Sequence, residues 1–196
     1  MPRELQDECR IIAPEKSAAH TERAPTRTRS FELSLRVRWT GDGAERMTTM
    51  GDASVVDALA GRLAKLHEKR PRAWGKMTAH EMLCHLADAF EMALGERPLT
   101  RRDTWIQRNV VRRVALHSSL AWPRGLKTIP ELEQAAGGTP PGDFAADRER
   151  VLALMRRFAA PGARLGSHPF FGPLTRDEWM VWGYRHTDHH LRQFAL

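Results

Sequence analysis

Thr175-Arg176-Asp177-Glu178-Trp179-Met180-Val181-Trp182-Gly183-Tyr184-Arg185-His186-Thr187-Asp188-His189-His190-Leu191-Arg192-Gln193-Phe194 reads as one amphipathic helix. Thr175 and Glu178 supply a capping box, in which the hydroxyl satisfies an orphan helix N–H and the carboxylate reaches back to the cap. At about 100° per residue, His186 and His190 stand about 40° apart on one face. Trp179, Trp182, Gly183 and Gln193 share that face, and His189 lies at its edge. Burying several imidazoles on an aromatic stripe is costly unless each is paired or bound to a metal. The His-x-x-x-His spacing lets two neutral imidazoles reach one cation from a single helix. Taken alone the pair is weak, because chance places such pairs on many helices.

Upstream, the chain carries three more S/T-x-x-[DE] boxes, Ser54–Asp57, Thr78–Glu81 and Thr128–Glu131. They predict a first helix over 54–69, with Val55, Val56, Leu59, Leu63 and Leu66 inward and Pro71 as its stop. A second helix starts after Thr78 and ends near Gly95. A basic helix is expected over 103–120, with Trp105, Ile106, Val110, Val114 and Leu120 turned inward. The Gly137-Gly138-Thr139-Pro140-Pro141-Gly142 stretch reads as a linker, followed by a helix over 144–159 that Pro161 ends. The last helix is expected over 176–194, after a loop at 166–173. The expected fold is therefore all-α, a four-helix bundle with an extra crossover helix.

On the second helix, His85 shares the inward face with Met82, Ala89 and Met92, and Asp88 sits at its edge. Two histidines from one helix and one from another give a three-imidazole site with positions open for water or substrate. His67 and His117 read as surface residues, and His80, inside a capping box, as solvated. Cys84 lies about 100° around the helix from His85 and reads as a packed thiol with no adjacent base.

The 196 residues are 41% hydrophobic, 7% aromatic and 28% charged, which excludes collagen-like, disulfide-stapled and wholly disordered classes. Two cysteines far apart, Cys9 and Cys84, argue against a disulfide framework and for a reducing cytoplasm. No apolar run suits a membrane span, and no secretory signal is evident. Of the net charge of +7, residues 1–46 supply 9 basic and 8 acidic groups, leaving the excess on 47–196. Residues 1–30 read as disordered, and Phe31–Trp39 alternates as an isolated strand. Residues 1–46 are thus expected to be an extension, disordered or mis-started, outside a helical domain at 47–196.

Three stretches carry a family resemblance: Trp74-Gly75-Lys76-Met77-Thr78-Ala79-His80-Glu81-Met82-Leu83-Cys84-His85-Leu86, His168-Pro169-Phe170-Phe171-Gly172-Pro173-Leu174-Thr175-Arg176-Asp177-Glu178-Trp179 and the His186–Phe194 ending. Together, over about residues 50–196, they resemble the DinB-like (YfiT-like) superfamily of metal-binding four-helix bundles, in a branch carried as a domain of unknown function. The resemblance implies a divalent metal, usually zinc or nickel, on His85, His186 and His190. It also implies either transfer of a low-molecular-weight thiol to a small electrophile or metal-assisted hydrolysis. His189, Gln193, Asp88 and His168 are then candidates to orient the imidazoles or move a proton. Arg101, Arg108 and Arg112, with Trp182, are candidates to hold the substrate. The basic 97–142 region is longer than such bundles need. Its arginines interleave only with Trp105, which counts against single-strand nucleic-acid binding. A homodimer fits the reading, and a non-enzymatic, stress-related metal-binding dimer is its rival.

Overall fold

The computed structural model describes residues 47–134 and 136–196; the strand expected at 31–39, the disorder expected at 1–30 and Cys9 lie outside them. The described chain is mostly helical: α1 (Ala53–Ala64), α2 (Ala79–Ala93), α3 (Arg112–His117), α4 (Phe144–Ala159) and α5 (Arg176–Gln193). A π-helical turn at Gln107–Val111 runs into α3, and a single 3-10 turn spans Pro130–Leu132. Ser167–His168 (β1) and Gly172–Pro173 (β2) close a minimal antiparallel hairpin just before α5. Among the described residues no helix is long and apolar enough to cross a membrane.

Local chemistry explains most of these boundaries. Thr78 and Thr175 both form their capping boxes with Glu81 and Glu178. The other two boxes do not form. Asp52, not Ser54, caps α1, its carboxylate accepting from the Ser54 N–H at 2.8 Å. At Thr128 only the 3-10 turn follows, and Glu131 pairs with Arg102 at 3.0 Å instead. α1 also ends at Ala64 rather than 69. Leu66 stays buried beyond the helix end, and the Arg70 guanidinium donates to the Phe194 carbonyl at 2.7 Å. That donation ties the turn to the carbonyl-rich end of α5.

The core forms where α2 and α4 pack against each other, with α1 against α4 and α5, and α2 against α5. Leu59, Leu63, Met82, Leu83, Leu86, Phe90, Met155, Phe158 and Trp179 are all essentially inaccessible. Aromatic rings meet tilted or edge to face along this core. Phe90 lies 5.2 Å from Phe158, and Trp179 lies 5.1 Å from Trp182. Gly183 sits where α5 comes nearest to that cluster. A Cβ there would stand 2.5 Å from Phe158 Cε1 and 2.8 Å from Met50 Sδ. Helix propensity alone favours Ala over Gly by about 1 kcal/mol, so the sign of Gly183→Ala tests packing. Overpacking should dominate, giving a loss of about 1–3 kcal/mol. Thermal denaturation of the variant should show a Tm several degrees below wild type; an equal or higher Tm refutes the packing account.

The segment expected as a basic helix over 103–120 differs most. It is shorter, and the side expected to be buried faces out: Trp105, Ile106, Val110, Val114 and Leu120 are exposed. Two causes act together. The i→i+5 turn adds a residue per turn and rotates the face that follows. The Arg112 guanidinium then grips Glu178, donating from Nε to Oε1 at 2.7 Å and from Nη2 to Oε2. That charge-assisted, two-pronged contact, together with buried Leu116, turns the polar side inward.

Candidate metal centre

α2 and α5 bring three imidazoles to one point. α5 supplies His186 and His190, one turn apart, and α2 supplies His85. His186 Nε2 lies 3.2 Å from His85 Nε2 and 3.1 Å from His190 Nε2. His85 and His190 are buried and His186 is partly exposed. The outer nitrogens of the two buried rings are engaged. His85 Nδ1–H donates to the Leu132 carbonyl at 3.0 Å, and His190 Nδ1–H to Gln193 Oε1 at 3.2 Å. These acceptors place the ring protons on Nδ1 and leave the two Nε2 atoms as lone pairs.

That protonation pattern favours a cation at the centre of the trio. One proton on His186 Nε2 can satisfy only one of its two neighbours. The other contact then sets lone pair against lone pair at little over 3 Å, inside a buried site. A cation resolves both contacts at once. Three nitrogens at about 2.0–2.1 Å from one ion stand about 3–3.4 Å apart, the range the two contacts occupy. The group could hold a metal ion, and imidazole donors suit first-row transition metals and zinc rather than magnesium or calcium.

Burial holds all three imidazoles below the ordinary histidine range. For His186 and His190 the neighbouring rings push further the same way, so both sit well below it. The rings are neutral near pH 7, ready to ligate. In the metal-free chain the sign of the linkage follows. The unfolded state takes up protons below pH 6.5 that the folded state refuses, so stability is complete above 6.5 and falls as pH drops below it. Melts of the metal-free chain at pH 8, 7, 6 and 5 should give a plateau, then a decline from about 6.5. A Tm that holds or rises between pH 7 and 5 contradicts neutral, buried rings.

Tryptophans wall the site. Trp182 lies 4.8 Å from the His186 ring; Trp122 lies 6.1 Å from it and 6.2 Å from His189; Trp74 meets His189 edge-on at 4.7 Å. Trp122 is held by its indole N–H donating to the Ala115 carbonyl at 3.0 Å. Arg185 braces the same loop, donating to the Ser118 and Leu120 carbonyls and lying over the Trp122 ring. Trp122, Trp74 as a wall, and the Leu132 carbonyl escape sequence reading. A loop tryptophan beside a proline has no period, and a backbone acceptor leaves no side-chain signature.

The other expected residues divide. Gln193 touches His190, and Gly75 (φ +84°) leaves it room: a Cβ there would come 2.2 Å from Gln193 Nε2. His189 lies beside the trio without joining it. His168 is buried, its Nδ1 accepting from the Phe170 and Phe171 N–H groups at 3.2 Å, and burial pushes it down to about 3. It orders the hairpin before α5 and stays neutral. Asp88, expected at the edge of the inward face, is fully buried and binds Thr139, Gln134 and Arg97 instead of an imidazole. The arginines expected to hold substrate are engaged elsewhere: Arg101 with Asp103 at 2.8 Å, Arg108 near the same carboxylate, Arg112 with Glu178. Burial would raise the Glu178 carboxyl, but Arg112 and the Thr175 N–H outweigh it and hold it at about 2. His80 is not solvated but buried against Asp147. Those two residues flank Cys84, contrary to the expectation of a thiol with no neighbour of that kind. Burial, then Asp147, push the Cys84 thiol up to about 12, so it is no nucleophile.

Compared with known proteins, residues 52–196 match the family described as "protein of unknown function (DUF1569)". No curated protein and no solved structure matches the chain.

Proposed function

We propose that this chain, which belongs to the DUF1569 family, is a metal-dependent enzyme built on a DinB-like four-helix bundle of α1, α2, α4 and α5, with His85, His186 and His190 as ligands. The observation that carries the reading is the convergence of three Nε2 atoms, with the ring protons of His85 and His190 directed outward. Zinc or nickel suits three imidazoles. A divalent cation there supplies Lewis acidity and keeps a coordinating thiol deprotonated.

The surroundings favour transfer of a low-molecular-weight thiol to a small electrophile over hydrolysis. The hydrogen-bond partners of the buried imidazoles are a carbonyl and an amide, not carboxylates. Among the described residues, neither of these partners can protonate a poor leaving group or take a proton from water as a carboxyl group would. A thiol that gives up its proton on binding asks for neither. Trp74, Trp122 and Trp182 offer an apolar wall for an electrophile, and partly exposed His186 marks the open side. His189 is held below the ordinary histidine range, chiefly by burial, and is free to accept the released proton.

Two measurements test this. Elemental analysis of the purified chain should find transition metal or zinc, about one equivalent of which His186→Ala loses. The metal-loaded protein should then consume glutathione, mycothiol or bacillithiol with a generic electrophile. Ester or amide hydrolysis that needs no thiol defeats the transfer reading and leaves the metal centre standing; absence of metal at the three histidines defeats both.

A further inference from the structure

We propose that His80, Cys84 and Asp147 form a second divalent-cation site, separate from the three-histidine centre and suited to a borderline-soft ion such as zinc. His80 and Cys84 stand one turn apart on α2, and Asp147 comes from the first turn of α4. One ligand atom of each lies within 4.8 Å of the others. His80 Nε2 is 2.7 Å and Cys84 Sγ 3.6 Å from the same oxygen, Asp147 Oδ2, which also accepts from the Gly142 N–H at 3.0 Å. His80 and Cys84 are buried, and Asp147 reaches the surface at one edge, which gives an ion a way in.

The composition of the trio points to a cation. One thiolate, one carboxylate and one neutral imidazole sum to two negative charges, which a divalent ion cancels without leaving net charge buried. Sulfur and nitrogen donors together select zinc or a neighbouring transition metal over magnesium or calcium. The far side of His80 is prepared as well: the Glu68 carboxylate stands 3.8 Å from Nδ1, and Phe144 packs edge-on against the ring at 5.3 Å. Without the ion, His80 Nε2–H donates to Asp147; on binding, the imidazole keeps its proton on Nδ1, on the side of the Glu68 carboxylate, and gives Nε2 to the metal. On binding, the ion replaces the Cys84 thiol proton, which leaves to solvent, and no redox change is involved. Ligand bonds of about 2.0–2.3 Å require the His80–Asp147 contact to open by about half an ångström, within side-chain reach. The ion would clamp the N-terminal turns of α2 and α4.

The test is a Co2+ titration of the full chain, reduced and stripped of metal, followed by near-ultraviolet sulfur-to-cobalt absorption and by stoichiometry. Wild type should take up two equivalents and develop the sulfur band. Cys84→Ser should keep the wild-type far-UV circular dichroism, lose the band and lose one equivalent. Asp147→Asn, which leaves the thiol in place, should weaken that equivalent at least tenfold. His186→Ala should lose the other equivalent and keep the band. A band that persists in Cys84→Ser, or wild-type uptake confined to the equivalent that His186→Ala removes, overturns the second site. Failure of the histidine centre alone shows differently: wild type then takes up one equivalent, with the sulfur band, and His186→Ala changes nothing.

Discussion

Chelation will lower the melting temperature of the metal-loaded chain by about 5–11 °C through the histidine centre, and on a Cys84→Ser background His85→Ala will abolish that difference. The size follows from mass action. A ligand bound only by the folded state, at about 100 times its Kd, stabilises by about 2.7 kcal/mol. A domain of 150–250 residues shifts about 2–4 °C per kcal/mol. The effect should lie at the upper end, because removing the ion also returns His186 Nε2 to contact with His85 Nε2 at 3.2 Å and His190 Nε2 at 3.1 Å. His85 is the informative position. It alone comes from α2, so without it the centre no longer joins α2 to α5. The substitution also empties buried volume and costs stability for that reason. The readout is therefore the difference between loaded and chelated melts within each protein. Wild type that melts identically with and without chelator, at full metal occupancy, would show that the imidazoles do not bind the ion. On the Cys84→Ser background, a chelator shift that survives in His85→Ala would place the ion outside both sites.

The contrast between α5 and the 97–142 region shows what the residues disclose unaided. α5 was legible end to end because its determinants are local. Thr175 and Glu178 close the cap within one turn, and the 3.6-residue period puts His186, His190 and Gln193 on one face. His85 was legible for the same reason, its face on α2 being apolar. The 103–120 segment carries a regular apolar pattern too, yet Ile106, Val110 and Val114 face water. Its orientation is decided by Glu178, 66 residues away, which no period within the segment reports. The burial of Asp88 is set at similar range. Its partners Gln134 and Thr139 lie 46 and 51 residues on, and a carboxylate at the edge of a helical face is buried only if such partners arrive. His80 is buried by Asp147, 67 residues away. Caps and faces are written locally; long-range ion pairs and backbone acceptors such as the Leu132 carbonyl are not.

Asp88→Ala should damage both stability and metal binding. The carboxylate is wholly inaccessible and accepts from the Thr139 N–H at 2.8 Å, the Thr139 hydroxyl at 2.6 Å and Gln134 Nε2 at 3.3 Å. Arg97 Nη2 stands 3.0 Å away and neutralises it. The same guanidinium donates to the Glu131 carbonyl at 3.2 Å and the Gly137 carbonyl at 3.4 Å. Asp88 and Arg97 together therefore pin Glu131, Gln134, Gly137 and Thr139 onto α2, and Leu132 beside them supplies the acceptor for His85 Nδ1. Truncation leaves Arg97 without its counter-charge and the Thr139 N–H without an acceptor. Breaking a fully buried pair costs about 3–5 kcal/mol; because the Arg97 side chain is 24% exposed and water can reach it, about 2–4 kcal/mol is expected here. Loss of the Leu132 contact should separately weaken metal binding about 10- to 100-fold, the usual cost of removing the partner that orients a ligating histidine. Asp88→Asn keeps the shape and one acceptor oxygen but not the charge, so it should fall between wild type and Ala on both measures. Thermal melts and a competitive metal titration on the three proteins decide the matter. If Asp88→Ala loses stability but binds metal as wild type does, the carboxylate holds the loop without positioning His85. If neither quantity moves, the latch does not exist.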